Sequence, residues 1–393
     1  MKSLLHEAPQ VVVTRRGEDR LASGHPWVYR ADIAKDGGAP AGAAVRVVNP
    51  RGQALGMAHY STTSQIALRR LTPKTVAIDR AFWLARLRAA LDHRERVAPG
   101  AEACRVVHAE GDLLPGLVVD RYGPVLCAQF LTQGMEAARG EIADCFDELL
   151  RPAGILARND APSRKHEGLS EVSEVLRGEV PQDVETAFNG LRWRVQPWAG
   201  QKTGVYLDQR ENYVAAARQA RGRALDCFTS TGGFALHLAA RCDSVEGVDS
   251  SAAALATAEH NRELNGIANV QFREADVFDL LGGYTRQRRQ YDTIVLDPPA
   301  FAKNRAAVDG ALRGYKDLHV KALRLLSPGG VLVTCSCSYH VSEADLLNVA
   351  AEAALDAGRT LRVLERRAQA ADHPVLLTVP ETLYLKCLIL EAL

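Results

Sequence analysis

The sequence lacks any apolar run long enough to cross a membrane. No such stretch approaches the roughly 20 residues that a transmembrane helix requires. The opening residues, MKSLLHEAPQ, contain Glu and Pro and no apolar core of a signal peptide. We therefore expect a cytoplasmic protein that does not associate with membranes.

Paired cysteines are also missing. The chain has eight cysteines in 393 residues, and none forms a C-x-x-C pair of the kind that holds zinc. Without such pairs we expect no metal site. Because disulfides are rare in a reducing compartment, we expect mostly buried free thiols. The cysteines stand at positions 104, 127, 145, 227, 242, 335, 337 and 387.

The net charge of +1 indicates no partner by itself, but the charge is unevenly distributed. Residues 1–74 carry 11 Lys and Arg against 5 Asp and Glu, a net charge of +6, which leaves −5 for the rest of the chain. A basic terminal segment on a slightly acidic body favours contact with nucleic acid. A solvated basic face is the alternative.

The pattern of apolar residues and turns along the chain predicts three domains, a usual number of domains for a chain of this length. Residues 1–74 contain short strand-like segments broken by turns and no long helical period, which predicts a small all-β domain. Residues 75–195 begin with helical spacing over 78–97 and predict a middle α+β domain. Residues 196–393 alternate strands and helices, which is typical of an α/β fold with a doubly wound parallel sheet.

The segment ALDCFTSTGGFALHLAA, residues 224–240, predicts a ligand site. A strand ends at Asp226, a turn rich in Thr, Ser and Gly follows, and a helix begins. Glycines let the backbone approach a ligand, and the helix start offers free N–H groups. The G-x-G-x-x-G pattern is absent, so the segment is not a dinucleotide cradle.

Four predicted strands each end in an aspartate, namely Asp226, Asp249, Asp276 and Asp297. The carboxyl ends of parallel strands meet at one edge of the sheet, where ligands of such folds bind. A single Asp there could be a turn former, but four in register favour a binding site.

Two cysteines follow the apolar run at 331–334, in the sequence VLVTCSCSYH. Strand residues two apart share a face, so Cys335 and Cys337 would point the same way. This spacing leaves a disulfide, a metal site, a nucleophile and packing all open.

Further motifs resemble a known family. Gly232-Gly233, the aspartates and DPPAF at 297–301 are similar to class I S-adenosylmethionine-dependent methyltransferases. QKTGVYLDQREN (201–212), HPWVYR (25–30) and HAEGDLLPGLVVDRYG (108–123) resemble the bacterial large-subunit ribosomal RNA cytosine-5 methyltransferases. The resemblance implies a small PUA-like β-barrel, a middle domain, a Rossmann-like catalytic domain, S-adenosylmethionine as cofactor and ribosomal RNA as substrate. It leaves the oligomeric state open, with a homodimer as one option.

The resemblance also implies roles for particular residues. Those with a cofactor role are Asp226, Thr229, Gly232, Gly233 and Phe234 at the methionine end, Asp249 and Ser250 at the ribose, Asp276 and Val277 at the adenine, and Tyr206, Asp208 and Arg210 closing the pocket. Cys337 would be the nucleophile, because methylation of cytosine carbon 5 is helped by a thiolate at carbon 6. Asp297 would contact the base near N3, and Cys335 would be a packing residue.

Several alternatives stay open at this point. The group that removes the carbon-5 proton is not assigned, and Phe301 either stacks on an extruded base or packs in the core. N2-guanine methylation of RNA is a rival, since a DPP-x-F motif also suits amine methylation and needs no thiol. A non-catalytic RNA-binding assembly factor is a third reading.

Overall fold

The computed structural model describes residues 8–200, 203–302 and 304–393. The chain divides into two compact units. The first comprises the chain up to Ala187 together with Val195–Val205 and Ala371–Thr382, and the second comprises Phe188–Arg194, Tyr206–Ala370 and Leu383–Leu393. The three-domain division at about residues 74 and 195 stays a prediction. Within the described ranges, no helix combines the length and apolarity needed to span a bilayer.

A six-stranded sheet opens the first unit, in the order β2-β6-β5-β4-β1-β3. Buried valines such as Val11, Val13 and Val28 belong to its apolar core. One short helix interrupts it, because the Thr14 side chain accepts a hydrogen bond from the Gly17 amide and caps the helix. The all-β expectation for this segment is therefore incomplete. The elements are β1 (Gln10–Val13), α1 (Arg15–Ala22), β2 (Trp27–Tyr29), β3 (Ile33–Lys35), β4 (Ala44–Val48), β5 (Ala54–Tyr60) and β6 (Ile66–Thr72).

The first unit also contains a five-stranded sheet in the order β11-β10-β9-β8-β7, which is accompanied by three α-helices among the described residues. Asp79 caps the first helix, and buried Trp83, Leu87 and Ala90 carry its predicted apolar face. The elements are α2 (Arg80–Val97), β7 (Ala103–His108), β8 (Leu117–Tyr122), β9 (Val125–Phe130), α3 (Gln133–Ala137), α4 (Arg139–Leu150), β10 (Gly154–Asn159) and β11 (Val172–Gly178). Two further strands, β12 (Val184–Phe188) and β13 (Leu191–Val195), pair with each other.

The second unit contains a seven-stranded sheet in the order β16-β15-β14-β17-β18-β20-β19. The first five strands in this order are parallel, and β20 runs antiparallel to both of its neighbours. This confirms the predicted doubly wound fold. The elements are α5 (Arg210–Gln219), β14 (Arg223–Cys227), α6 (Gly233–Leu238), β15 (Ser244–Asp249), α7 (Ala252–Leu264), β16 (Val270–Glu274), α8 (Val277–Arg286), β17 (Tyr291–Leu296), α9 (Val308–Leu325), β18 (Leu326–Ser336), α10 (Glu343–Asp356), β19 (Leu361–Arg367) and β20 (Lys386–Ala392).

Helices cover both faces of this sheet. Leu225 and Cys227 of β14 belong to the apolar core formed with α8, α9 and α10. Asp226 points to the opposite face, because successive strand residues alternate, and there it accepts a hydrogen bond from the Ala235 amide of α6. The chain leaves β14 towards β15 and later returns to β17 on its other side. This change of direction opens a crevice at the carboxyl ends of the strands, where ligands bind in open α/β sheets.

Candidate active site

Asp226 lies near the carboxyl end of β14, the strand at which the strand order changes direction, and is fully buried. Its Oδ2 atom accepts hydrogen bonds from the Thr229 hydroxyl (2.6 Å) and the Ala235 amide (2.9 Å). Its Oδ1 atom is buried and has no hydrogen-bond partner among the described residues. Burial raises the pKa of Asp226 to about 7, and nearby Asp297 and Asp249 add to the rise. A buried acceptor without a partner is costly, so this oxygen could accept a hydrogen bond from a bound ligand.

The loop between Asp226 and α6 has an unusual backbone. Phe228, Ser230 and Gly232 all have left-handed φ angles, of 65°, 50° and 91°. Non-glycine residues rarely adopt this conformation, and such residues cluster at ligand sites. The predicted loop is present, with part of its left-handed backbone carried by non-glycine residues, and its role in ligand binding stays a prediction.

Gly233 and Phe234 are explained by packing. A Cβ atom on Gly233 would collide with the Tyr213 ring of α5. Phe234 is buried and meets the same ring edge-on, at 4.8 Å between centroids. Gly233 therefore lets α5 and α6 approach each other, a reason that the sequence does not reveal.

Asp249 lies at the end of β15, beside the same loop. Its Oδ2 atom accepts a hydrogen bond from the Ser230 amide, and its Oδ1 atom accepts one from the Ser251 amide, both at 2.9 Å. A carboxylate has about four acceptor positions, so capacity for further donors remains. Ser250 is exposed next to it, whereas Ser251 caps α7.

The third strand delivers Asp276 as the cap of α8. Its Oδ1 atom accepts a hydrogen bond from the Asp279 amide at 3.0 Å. Val277 is buried in the core beneath the sheet, so only its main chain could meet a ligand in the crevice. The predicted pair thus combines a structural cap with a core residue.

Asp297 follows β17, and a glutamine holds its carboxylate. Gln209 donates from Nε2 to Oδ2 of Asp297 at 3.0 Å, and its own Oε1 accepts a hydrogen bond from Asn212 at 2.7 Å. Gln209 is only 2% exposed. It lies within the YLDQREN motif but is not among the predicted site residues.

The two cysteines of the SCS segment occupy different environments. Cys335 is fully buried in β18 opposite Cys387 of β20, and both are free thiols. Burial raises the pKa of Cys335 well above its ordinary value. Cys337 lies one residue past the end of β18 and is half-buried, whereas the other seven cysteines are buried. Only Cys337 is therefore partly accessible to a substrate.

The residues on either side of Cys337 are fixed by hydrogen bonds. The Tyr315 hydroxyl of α9 donates to the Ser336 Oγ at 2.9 Å, and the Ser338 Oγ accepts a hydrogen bond from the Ala302 amide at 3.3 Å. Phe301 packs on Tyr315, at 4.9 Å between ring centroids, and against the core. These contacts favour the packing role of Phe301.

The three residues predicted to close the pocket have separate environments. Tyr206 is half-buried, and burial together with Asp297 raises its pKa. Asp208 is buried and accepts a hydrogen bond from the Tyr384 hydroxyl at 2.7 Å. Arg210 is 7% exposed and begins α5. The neighbouring residues 201 and 202, the first two of the QKTG motif, lie outside the described residues.

Comparison with known proteins shows the family to which this chain belongs. Residues 11–73 match the PUA-like domain family, and residues 164–389 match the S-adenosylmethionine-dependent methyltransferases. The second match covers more than half of the chain. The protein belongs to the S-adenosylmethionine-dependent methyltransferase family. This confirms the predicted cofactor, fold class and PUA-like segment of the methyltransferase.

Relatives of similar length match the methyltransferase from end to end. Ribosomal RNA large subunit methyltransferase I of Tolumonas auensis is 42% identical over 98% of this chain and 99% of its own length. The protein of the same name from Shewanella amazonensis is 43% identical over 95% of this chain and 96% of its own. The chain therefore belongs to the same family as these proteins.

A solved structure shares the fold. SMU.776, a candidate methyltransferase complexed with SAH, superposes with a TM-score of 0.84 over 98% of this chain and 100% of its own, at 22% identity. At this identity the likeness concerns the fold alone. In the present chain, the group that could hold the ammonium of S-adenosylmethionine is the Asp226 carboxyl, whose buried Oδ1 has no hydrogen-bond partner among the described residues.

Proposed function

We propose that this methyltransferase acts in the cytoplasm and methylates carbon 5 of a cytosine in large-subunit ribosomal RNA, with Cys337 as the nucleophile. The RNA class is suggested by the names of the relatives, and the base by the motif resemblance. The observation that carries the mechanism is the accessibility of Cys337, at the carboxyl edge of the sheet, when the other seven cysteines are buried.

The chemistry requires a thiol at this place. The thiolate of Cys337 would add to carbon 6, forming a C–S bond and making carbon 5 enamine-like. S-adenosylmethionine supplies the methyl group. Carbon 5 then loses its proton to a base, and the returning electrons break the C–S bond and release Cys337 as a thiolate. Cys335 is unsuited to this role because it is fully buried.

Asp297 would contact the base at N3. As the ring accepts the thiolate, a carboxylate at N3 favours protonation there and so stabilises the charge that develops. Gln209 supports this role, because its hydrogen bond fixes the orientation of the Asp297 carboxylate. Positioning of this kind is a major part of catalysis, since small misplacements reduce rates strongly.

The cofactor would bind across the loop that follows β14. We assign the Asp226 Oδ1 to the ammonium of the methionine end and the remaining acceptor positions of Asp249 to the ribose hydroxyls. The other residues in the proposed pocket are Thr229, Gly232, Gly233, Phe234, Ser250, Asp276, Val277, Tyr206, Asp208 and Arg210. For Gly233, Phe234 and Val277 the contribution would be through packing or the main chain, because their surroundings are internal.

The PUA-like segment would hold the RNA. Arg15 and Arg16 of α1 are largely exposed, although both form ion pairs with carboxylates of this segment. Arg51 and Lys74 are exposed as well. Other basic residues of this segment are used internally; Arg30, for example, donates to the carbonyls of Ser61 and Ser64. The exposed subset is the proposed phosphate contact.

Methylation of a large-subunit ribosomal RNA transcript tests the proposal. The purified protein would be incubated with the transcript and S-adenosylmethionine, and the digested nucleosides would be identified by mass spectrometry. We expect 5-methylcytidine. N2-methylguanosine would instead support the amine-methylating alternative, and failure to bind S-adenosylmethionine in calorimetry would support a non-catalytic assembly factor.

A further inference from the structure

Lys386, the first residue of β20, is buried next to the SCS segment. It is only 6% exposed, which is rare for a lysine. Its Nζ donates to the main-chain oxygens of Ser338 (2.7 Å) and Tyr384 (2.8 Å). No carboxylate lies within ion-pair distance of this ammonium among the described residues. A buried cation without an anionic partner is costly, so its place needs an explanation.

Two contacts position Lys386 beside Cys337. The residue pairs with Ser336 in the antiparallel register of β18 and β20, and its side chain bonds to the carbonyl of Ser338. It therefore contacts the residues immediately before and after Cys337. The thiol is thus the group that could supply the missing negative charge.

We propose that Lys386 is the cation that stabilises the Cys337 thiolate and so prepares the nucleophile. This inference rests on the proposed role of Cys337 and adds a positioning residue to it. In the step, the Cys337 S–H bond breaks and its proton passes to water, while Lys386 keeps all its hydrogens and both main-chain bonds. The product is a thiolate beside an ammonium, which stabilise each other.

Other titratable groups surround this pair. The charge of Asp345 on α10 raises the pKa of Lys386, against the lowering by burial. Burial raises the pKa of Tyr206 and Tyr315, and negative charge on Cys337 raises both further. The charge of Asp297 adds to the rise of both tyrosine pKa values. Burial lowers the pKa of Lys386 to about 8, and Cys337 opposes this effect. Lys386 therefore stays largely cationic at neutral pH, where the thiolate is needed.

Alkylation of Cys337 tests the inference without RNA or methyl transfer. Rates of iodoacetamide labelling would be measured against pH, with peptide mass spectrometry to separate Cys337 from the seven buried cysteines. Wild type should label with a midpoint below the ordinary cysteine value of about 8.5. Lys386→Gln should move the midpoint up by about one unit, so that labelling at neutral pH slows about tenfold. Lys386→Arg keeps the charge and should stay close to wild type.

Lys316→Gln serves as the matched control, because Lys316 forms ion pairs with Glu352 and Asp356 on the surface. An unchanged midpoint in folded Lys386→Gln would overturn the inference, since a purely structural lysine would not move it. If that variant fails to fold, a wild-type midpoint at or above about 8.5 overturns it equally. A shifted midpoint without any 5-methylcytidine in the RNA assay would support the inference and refute only the proposed function.

Discussion

The Nε2 of Gln209 donates to the Oδ2 of Asp297 at 3.0 Å, and Asn212 in turn donates to Gln209. These two hydrogen bonds orient the Asp297 carboxylate, the proposed contact of N3, although Gln209 itself does not meet the base. Gln209→Leu should therefore lower kcat by about tenfold to a hundredfold while leaving SAH affinity near wild type.

Steady-state methylation kinetics and SAH calorimetry would measure the two effects. Gln219→Leu is the matched control, because Gln219 ends the helix that Arg210 begins and bonds to Glu365, away from Asp297. A kcat equal to wild type in Gln209→Leu would show that the orientation of Asp297 does not limit the reaction.

The two neighbouring cysteines should behave differently when removed. Cys337→Ala should abolish methyl transfer with the fold and SAH binding intact, because only a thiolate at carbon 6 activates carbon 5. Cys335→Ala should keep substantial activity and lose about 1 kcal/mol of unfolding free energy, from the cavity left in the fully buried site. Activity assays and urea unfolding would measure this.

RNA containing 5-fluorocytidine sharpens the comparison. Fluorine replaces the proton that must leave carbon 5, so the covalent intermediate should persist as a denaturation-resistant adduct in wild type and Cys335→Ala. Cys337→Ala should give no adduct on a denaturing gel. An adduct that depends on Cys335 would move the nucleophile by two residues, and no dependence on either would contradict the cytosine-5 mechanism.

Some features of the site follow from local sequence. Short apolar runs ending in Asp226 or Asp249 specify strands whose carboxyl ends must meet in a parallel sheet. Ser251 and Asp276 cap their helices through bonds to residues three positions away. Such signals lie within a few residues of one another, so these strand ends and helix caps can be predicted without the tertiary structure.

Other features depend on distant contacts. Gln209 lies 88 residues before Asp297, and Lys386 lies 48 residues after Ser338. No local pattern distinguishes them from an ordinary polar residue or a surface lysine. Gly233 could not be explained from sequence for the same reason. Its lack of a side chain leaves room for the ring of Tyr213, which lies earlier in the chain by a full strand and turn.

Exposed arginines of the PUA-like segment should govern RNA binding. Arg15→Glu combined with Arg51→Glu should weaken RNA affinity and reduce the slope of its salt dependence by about one for each phosphate that the variant no longer neutralises. SAH affinity should not change. Arg241→Glu is the control, since Arg241 is exposed just before β15, at the opposite edge of the sheet from the crevice. Filter binding at several salt concentrations would measure this slope. An unchanged slope in the double variant would exclude these arginines as phosphate ligands.

The raised pKa of Asp226, about 7, predicts a pH dependence of cofactor binding. The folded apo protein holds the proton more tightly than the unfolded chain, so this group's contribution to stability is lost as the pH rises from about 4 through about 7. The cofactor's ammonium favours the ionised carboxylate, and binding must therefore expel the proton. SAH affinity should rise about tenfold between about pH 6 and about pH 8.

Calorimetry in two buffers of different ionisation enthalpy would count the protons released on SAH binding near neutral pH. Asp226→Asn removes the titrating group and keeps the shape of the side chain. The variant should bind SAH more weakly than wild type, and its SAH affinity should change little with pH. The same variant should also lose the decline of unfolding free energy that Asp226 causes in wild type between about pH 4 and about pH 7, since this carboxyl no longer has to ionise. Wild-type affinity that is independent of pH across this range, with no proton released, would mean that the ammonium binds elsewhere and that the unpartnered Oδ1 serves another donor.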